Sequence, residues 1–160
     1  MPTVYIETTI PSYLVSEPSR DIIVLAHQQL TCEWWDFNRS DYDLFISQVV
    51  LDEISVGDPI MAARRLEMIY GIHLLPMNED VERVADVYLH KLPIPPKAFR
   101  DALHLALAVV HKIDFIVTWN MKHLANATIV LKLSQINSEM NLHIPIICTP
   151  EELIEKNEGE

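Results

Sequence analysis

Short apolar runs alternate along the chain with longer segments in which apolar residues recur at helical spacing. The runs are rich in β-branched, aromatic and leucine side chains, and polar residues bound them, which is typical of buried strands. They cover residues 4–6, 42–47, 72–75, 115–118 and 144–147. This pattern predicts a core of about five short strands.

The segments between these runs predict helices. Pro11 is placed to begin a helix after the first run, Ser19, Ser47 and Asn78 are suited to cap later helices, and Gly71 ends one. The segment 98–111 is apolar almost all round and should be buried on several sides. Because strands alternate with long connections, the predicted fold class is α/β, a parallel sheet covered by helices on both faces.

The composition is that of one globular domain. Of the 160 residues, 49% are hydrophobic and 22% are charged, so we expect a single domain over 1–155 and a frayed tail over 156–160. No apolar run is long enough to span a membrane and no charged-then-apolar leader begins the sequence, so the expected location is cytoplasmic. Cys32 and Cys148 lie far apart and are expected to be reduced thiols without a metal-binding spacing.

The formal net charge of -11 argues against broad, non-specific binding of nucleic acid. A local basic rim can still guide a phosphate backbone, and solvation alone is the competing explanation for each of its members. With three glycines in the chain there is no glycine-rich phosphate loop. The candidate substrate-binding residues are Lys97, Arg100, Lys122 and His123, with Arg20 and Lys132 as further basic positions.

Four oxygen-bearing side chains are expected to meet at the carboxyl edge of the sheet, where parallel sheets place ligands. Glu7 ends the first strand, Asn120 follows the fourth, Glu53 lies on the helix after the second, and Asp101 begins the buried helix. Hard cations such as Mg²⁺ or Mn²⁺ prefer such oxygens and can activate a water for phosphodiester hydrolysis. Glu53 on a solvated helix face and Asp101 as a structural N-terminal carboxylate are the alternatives.

Supporting roles are expected for three neighbours of these acids. Thr8 and Thr118 can orient a carboxylate or a metal-bound water, or they can bond only to backbone. His104 lies one turn after Asp101 and can bond to it, contact substrate, or be a satisfied core histidine.

These pieces resemble the PIN-domain family of Mg²⁺-dependent ribonucleases, many of which are toxins of toxin-antitoxin pairs. The motifs that carry the resemblance are Tyr5-Ile6-Glu7-Thr8-Thr9, Val50-Leu51-Asp52-Glu53-Ile54, Asp101-Ala102-Leu103-His104-Leu105-Ala106 and Phe115-Ile116-Val117-Thr118-Trp119-Asn120. The resemblance implies a three-layer α/β/α fold with strand order 3-2-1-4-5 and a homodimer. It further implies an RNA substrate and an antitoxin protein as partners.

Two positions depart from the family pattern. Glu7 stands where the family has Asp, and Asn120 stands where it has an acid, so the site loses one negative charge. The leading hypothesis is a metal-dependent endoribonuclease that uses Glu7, Glu53, Asp101 and Asn120. The alternative is a catalytically decayed PIN fold that binds protein or RNA.

Overall fold

The computed structural model describes residues 1–155, so the tail predicted for 156–160 lies outside the described residues. Residues 1–155 form five strands and eight α-helices, with 3₁₀ turns at Arg39–Asp41 and Pro96–Ala98. The strands are β1 (Thr3–Ile6), β2 (Asp43–Ser47), β3 (His73–Leu75), β4 (Phe115–Val117) and β5 (Ile146–Cys148). The helices are α1 (Thr9–Val15), α2 (Ile22–Phe37), α3 (Gln48–Ile54), α4 (Pro59–Ile69), α5 (Glu79–Lys91), α6 (Phe99–Val110), α7 (Ala127–Glu139) and α8 (Pro150–Leu153).

All strands are parallel and lie in the order β3-β2-β1-β4-β5, which confirms the expected fold class and strand order. β1 is central, and its Ile6 pairs with Val117 of β4. Residues that follow these two strands therefore leave the sheet side by side. This register brings Glu7 next to Thr118.

Local signals explain most helix boundaries. Ser47 and Asn78 cap α3 and α5 as expected, and Gly71, at φ 83°, follows the end of α4 in a conformation that favours glycine. The expected cap at Ser19 is wrong: α2 begins after Asp21, whose carboxylate accepts bonds from the N–H groups of the first turn. An aspartate accepts two of these otherwise unpaired donors and also favours the helix dipole.

The helices cover both faces of the sheet. α5 packs along α6, whereas α1 packs against α2 and α4. Fully buried side chains such as Leu105, Leu107 and Ile116 contribute about 1.5–3 kcal/mol each to stability. Within residues 1–155, no helix has the length and apolar character needed to cross a membrane.

Candidate functional site

The carboxyl edge of the sheet brings the four predicted site residues into two hydrogen-bond networks, one that links Glu7, Asn120 and Asp101 and one around Glu53. Glu7 directly follows β1, Asn120 lies in the loop after β4, Glu53 is on α3, and Asp101 is in the first turn of α6. Thr118 bonds to both Glu7 and Asn120, and Asn120 bonds to Asp101. Side chains from distant parts of the chain thus form one site.

Glu7 is held by hydroxyl and backbone donors. Its Oε1 accepts bonds from the Thr118 hydroxyl at 2.7 Å, from the Thr9 N–H at 2.9 Å and from the Thr9 hydroxyl. The side chain is 3% exposed, and this burial raises the pKa of the carboxyl despite the opposing charge of His104 and the donors around it. Within residues 1–155 no hydrogen bond reaches Oε2, so that oxygen is the one available for a ligand.

Glu53 is fixed by a chain of bonds that runs into the core. Its Oε1 accepts a bond from His104 Nε2 at 2.5 Å and one from the Thr8 hydroxyl at 2.8 Å. His104 Nδ1 is bonded in turn to the Tyr5 hydroxyl at 2.6 Å, which is bonded to Ser47 Oγ at 2.7 Å. Both ring nitrogens of His104 are therefore occupied. The bond to Asp101 that the sequence allowed does not form, and His104 is a satisfied buried histidine.

The Glu53–His104 pair is stabilised in its charged form. Burial alone lowers the pKa of His104, but the bond to Glu53 and the charges of Glu7, Glu53 and Asp101 outweigh it and raise the pKa. Burial alone raises the pKa of Glu53, but the bond and charge of His104, together with Thr8 and Arg100, lower it. An imidazolium donates from both nitrogens, which suits the partners found on each side.

Asp101 lies in a second carboxylate–histidine pair. His123 Nδ1 approaches Asp101 Oδ2 at 2.8 Å, and Asn120 Nδ2 donates to Asp101 Oδ1 at 3.1 Å. The Asn120 oxygen accepts the backbone N–H of His123 at 3.1 Å. That N–H needs an acceptor, so the amide orientation is fixed and Asn120 presents its NH₂ group to Asp101.

The predicted substrate-binding cations lie around these networks without joining them. Lys97, Arg100 and Lys122 are exposed, and within residues 1–155 none of them forms a salt bridge. Arg100 is close enough to Glu53 for its charge to lower the pKa of that carboxyl. His123 differs from these three residues because it is paired with Asp101.

The donor chemistry of the site suits a hard cation. Glu7, Glu53 and Asp101 offer carboxylate oxygens, although no three His, Cys, Asp or Glu side chains in residues 1–155 are grouped so that they could hold one ion. Mg²⁺ usually keeps several waters and takes only one or two protein carboxylates. The residues present fit that mode and do not form a complete protein cage.

Sequence reasoning missed Tyr5, Ser47 and Thr9 as parts of the site. Tyr5 and Ser47 read as a core strand residue and a helix cap, and Ser47 does cap α3. Thr9 lies in the first motif, and its hydroxyl donates to Glu7 and accepts the Trp119 N–H at 2.8 Å. A tyrosine inside an apolar strand was the available signal, because a buried hydroxyl needs a partner.

No protein-family model matches this sequence, and no curated protein matches it. A solved structure, that of VapBC2 from Rickettsia felis bound to a DNA fragment from their promoter, contains a chain with a similar fold. The TM-score is 0.52 at 13% identity, and the match covers 92% of this chain and 98% of that chain. With the strand order and the helices on both faces, this likeness supports a PIN-like fold.

Proposed function

We propose that this protein is a metal-dependent endoribonuclease that hydrolyses RNA phosphodiester bonds at the edge formed by Glu7, Glu53 and Asp101. The observation that carries the proposal is that two hydrogen-bond networks hold three carboxylates from separate elements at the carboxyl edge of a PIN-like sheet. Burying a carboxylate is costly unless it is paired and hydrogen-bonded, and each of these three has such partners.

Each carboxylate has its own positioning group. Thr9 and Thr118 fix one oxygen of Glu7, Thr8 and His104 fix Glu53, and His123 holds Asp101. A Mg²⁺ or Mn²⁺ ion held by one or two of these carboxylates would supply a water of lowered pKa and positive charge against the phosphodiester. The protein contributes fixed oxygens that need no rearrangement when the substrate arrives.

The exposed cations serve the substrate. Arg100 lies near Glu53, and Lys122 follows Asn120 by two residues, so both adjoin the carboxylate networks. Lys97 lies in the turn that precedes α6. In a chain with a net charge of -11, these side chains provide the local attraction that a phosphate backbone requires.

Cleavage of RNA by the purified protein with Mn²⁺ tests the proposal. Asp101→Asn should lower the rate by at least about 10- to 100-fold, since it removes a charge from the site. Glu67→Gln, which alters an exposed acid on α4, is the matched control and should cleave as the wild type does. Equal cleavage by wild type and Asp101→Asn, or cleavage by neither, contradicts the proposal.

The alternative, a PIN-like fold that has lost catalysis and binds a partner, is favoured by Asn120. The neutral Asn120 amide donates to Asp101. An acid at position 120 would add a negative charge there, so the site carries one negative charge fewer than it would with that acid. This alternative predicts no Mn²⁺ binding by calorimetry and a stable complex in a pull-down.

Partner proteins are part of the proposal under either function. The similar structure is of VapBC2, which supports an antitoxin-like partner for this chain. A homodimer is proposed from the family resemblance alone. A cytoplasmic location is proposed with this role, because the RNA substrate and the antitoxin-like partner would be found there. Mass measurement of the purified protein alone, and after co-expression with its neighbouring reading frame, tests both assemblies.

A further inference from the structure

A cavity of about 220 Å³ lies beside Glu53, between α3, α6 and the segment before α5. We call it the Phe99 pocket; it is lined by Gln48, Val49, Asp52, Met77, Phe99, Arg100 and Leu103. Val49, Met77 and Leu103 make its wall apolar, and the polar groups lie on two sides. None of these lining residues belongs to the carboxylate networks described above.

Phe99 gives the pocket an exposed aromatic face. Its side chain is 41% exposed, and the guanidinium carbon of Arg100 lies 4.9 Å from the ring centroid. Aromatic rings and guanidinium planes are the two surfaces on which proteins stack unpaired bases. A base that stacks on the covered face takes the place of the guanidinium, which is then released toward a phosphate.

Arg100 connects this pocket to the site. The same side chain lines the cavity together with Asp52, and Glu53 is the next residue along α3. A nucleotide whose base enters the pocket therefore has its phosphate near Arg100 and the edge that carries Glu53. This arrangement suits a polymer that is neutral at the base and anionic along the backbone.

The pocket also has an acidic rim. Gln48 Nε2 donates to Asp52 Oδ1 at 2.9 Å. Within residues 1–155, Asp52 Oδ2 and Gln48 Oε1 accept no hydrogen bond and remain available as acceptors. Acceptors at the rim suit a base edge that offers an amino group.

We infer that the Phe99 pocket binds one unpaired, amino-bearing base of the RNA strand. The inference rests on the proposed function and adds a base-binding subsite, with a stated base preference, to that same site. A paired base cannot enter a pocket of this kind, because both its stacking faces and its pairing edge are occupied in a duplex.

Fluorescence anisotropy without added divalent metal measures binding separately from cleavage. The probes are a labelled single-stranded RNA of adenosines, one of uridines, and a hairpin duplex. The wild type should bind the adenosine strand more tightly than the duplex. Phe99→Ala should weaken that binding about tenfold, and Phe99→Trp should restore it.

Two further variants distinguish stacking from simple apolar packing. Phe99→Leu keeps an apolar side chain without a ring, so it should bind as weakly as Phe99→Ala. Tyr70→Ala removes another exposed aromatic, the residue that directly follows α4, and should bind as the wild type does. Asp52→Ala should lower the preference for adenosine over uridine.

The inference is overturned if Phe99→Ala or Phe99→Leu binds the adenosine strand as tightly as the wild type does. It is also overturned if duplex is preferred, if the base preference is unchanged in Asp52→Ala, or if no strand binds. None of these results decides the proposed function. That function depends on Mn²⁺-dependent cleavage and its Asp101→Asn control.

Discussion

Two carboxylate–histidine pairs lie in the same site but differ in how deeply the histidine is buried. The His104 side chain is fully buried and its partner Glu53 is 26% exposed, whereas His123 and Asp101 are each 13% exposed. His104 is bonded on its other side to Tyr5, while Asp101 also accepts a bond from Asn120. The Glu53–His104 pair thus extends into the core, whereas the Asp101–His123 pair lies among residues of the loop after β4.

This difference predicts that one histidine contributes to stability and the other to activity. Removing the fully buried His104 ring leaves a cavity in the core and takes a partner from the buried Tyr5 hydroxyl, so the cost falls on the fold. Breaking the outer pair changes the orientation of Asp101 and leaves the core intact. Variants of the two histidines should therefore divide between stability and activity.

His104→Ala should have the largest effect. It leaves a cavity where a fully buried ring was and the Tyr5 hydroxyl without one of its two partners, and truncating a buried aromatic side chain costs about 3–5 kcal/mol. Urea unfolding measures the change, and His123→Ala is the matched control, with a smaller expected loss because the His123 ring is partly exposed. Equal losses from the two variants would show that burial does not distinguish the pairs.

Tyr5→Phe should destabilise less, because it keeps the buried ring and removes only the hydroxyl between His104 and Ser47. The expected cost is about 1–3 kcal/mol, that of leaving buried polar groups unsatisfied. Thermal unfolding measures it, and Tyr13→Phe, on α1, is the control. A neutral result would mean that the Tyr5 hydroxyl does not hold His104 in place.

Stability should vary with pH through the inner pair. The pKa of His104 is raised from its ordinary 6.5, so its contribution is fully present below 6.5 and is lost as pH rises through the raised value. The pKa of Glu53 is lowered from 4.5, so its contribution is present above 4.5 and is lost as pH falls through the lowered value. Glu7 acts in the opposite sense, since its raised pKa makes the ionised form a cost that acid relieves.

The difference in unfolding free energy between wild type and His104→Gln, measured without metal across this pH range, isolates the pair. It should be largest in the window between about 4.5 and 6.5 and should decrease above it. A difference that does not change with pH would mean that the pair is not charged.

Asn120→Asp should change both stability and metal affinity at the Asp101–His123 pair. The new carboxylate would face Asp101 in place of a donor, so the metal-free protein should lose about 1 kcal/mol of stability. Mn²⁺ should bind more tightly because the site gains a charge. Calorimetry measures the binding, and no change would place Asn120 outside the metal shell.

Cys148→Ser should have the smallest effect, because it should leave the pattern of thiol alkylation unchanged. Burial raises the pKa of the Cys148 thiol to about 12, so the reactive thiolate is scarce at neutral pH. Cys32 is partly exposed and should react first. Mass spectrometry after brief alkylation of wild type and Cys148→Ser should show the same single label on both.

Much of the fold could be predicted because its signals are local. The apolar run at β1, the caps at Ser47 and Asn78, and the all-round apolar segment of α6 each depend on neighbouring residues. The candidate site followed from the rule that parallel strands end at one edge. The start of α2 was misplaced because Ser19 and Asp21 are both good caps, and only the surrounding packing selects one.

The sequence by itself determined the alternation of strands and helices and placed Glu7, Glu53 and Asp101 at one edge of the sheet. Only the tertiary structure decided which groups hold them. His104 bonds Glu53, 51 residues away, instead of Asp101 on its own helix, and Asn120 turns its amide NH₂ toward Asp101. Such bonds depend on where α3 and α6 lie relative to β1 and β4, and this placement is set by packing over the whole core, which no local pattern encodes.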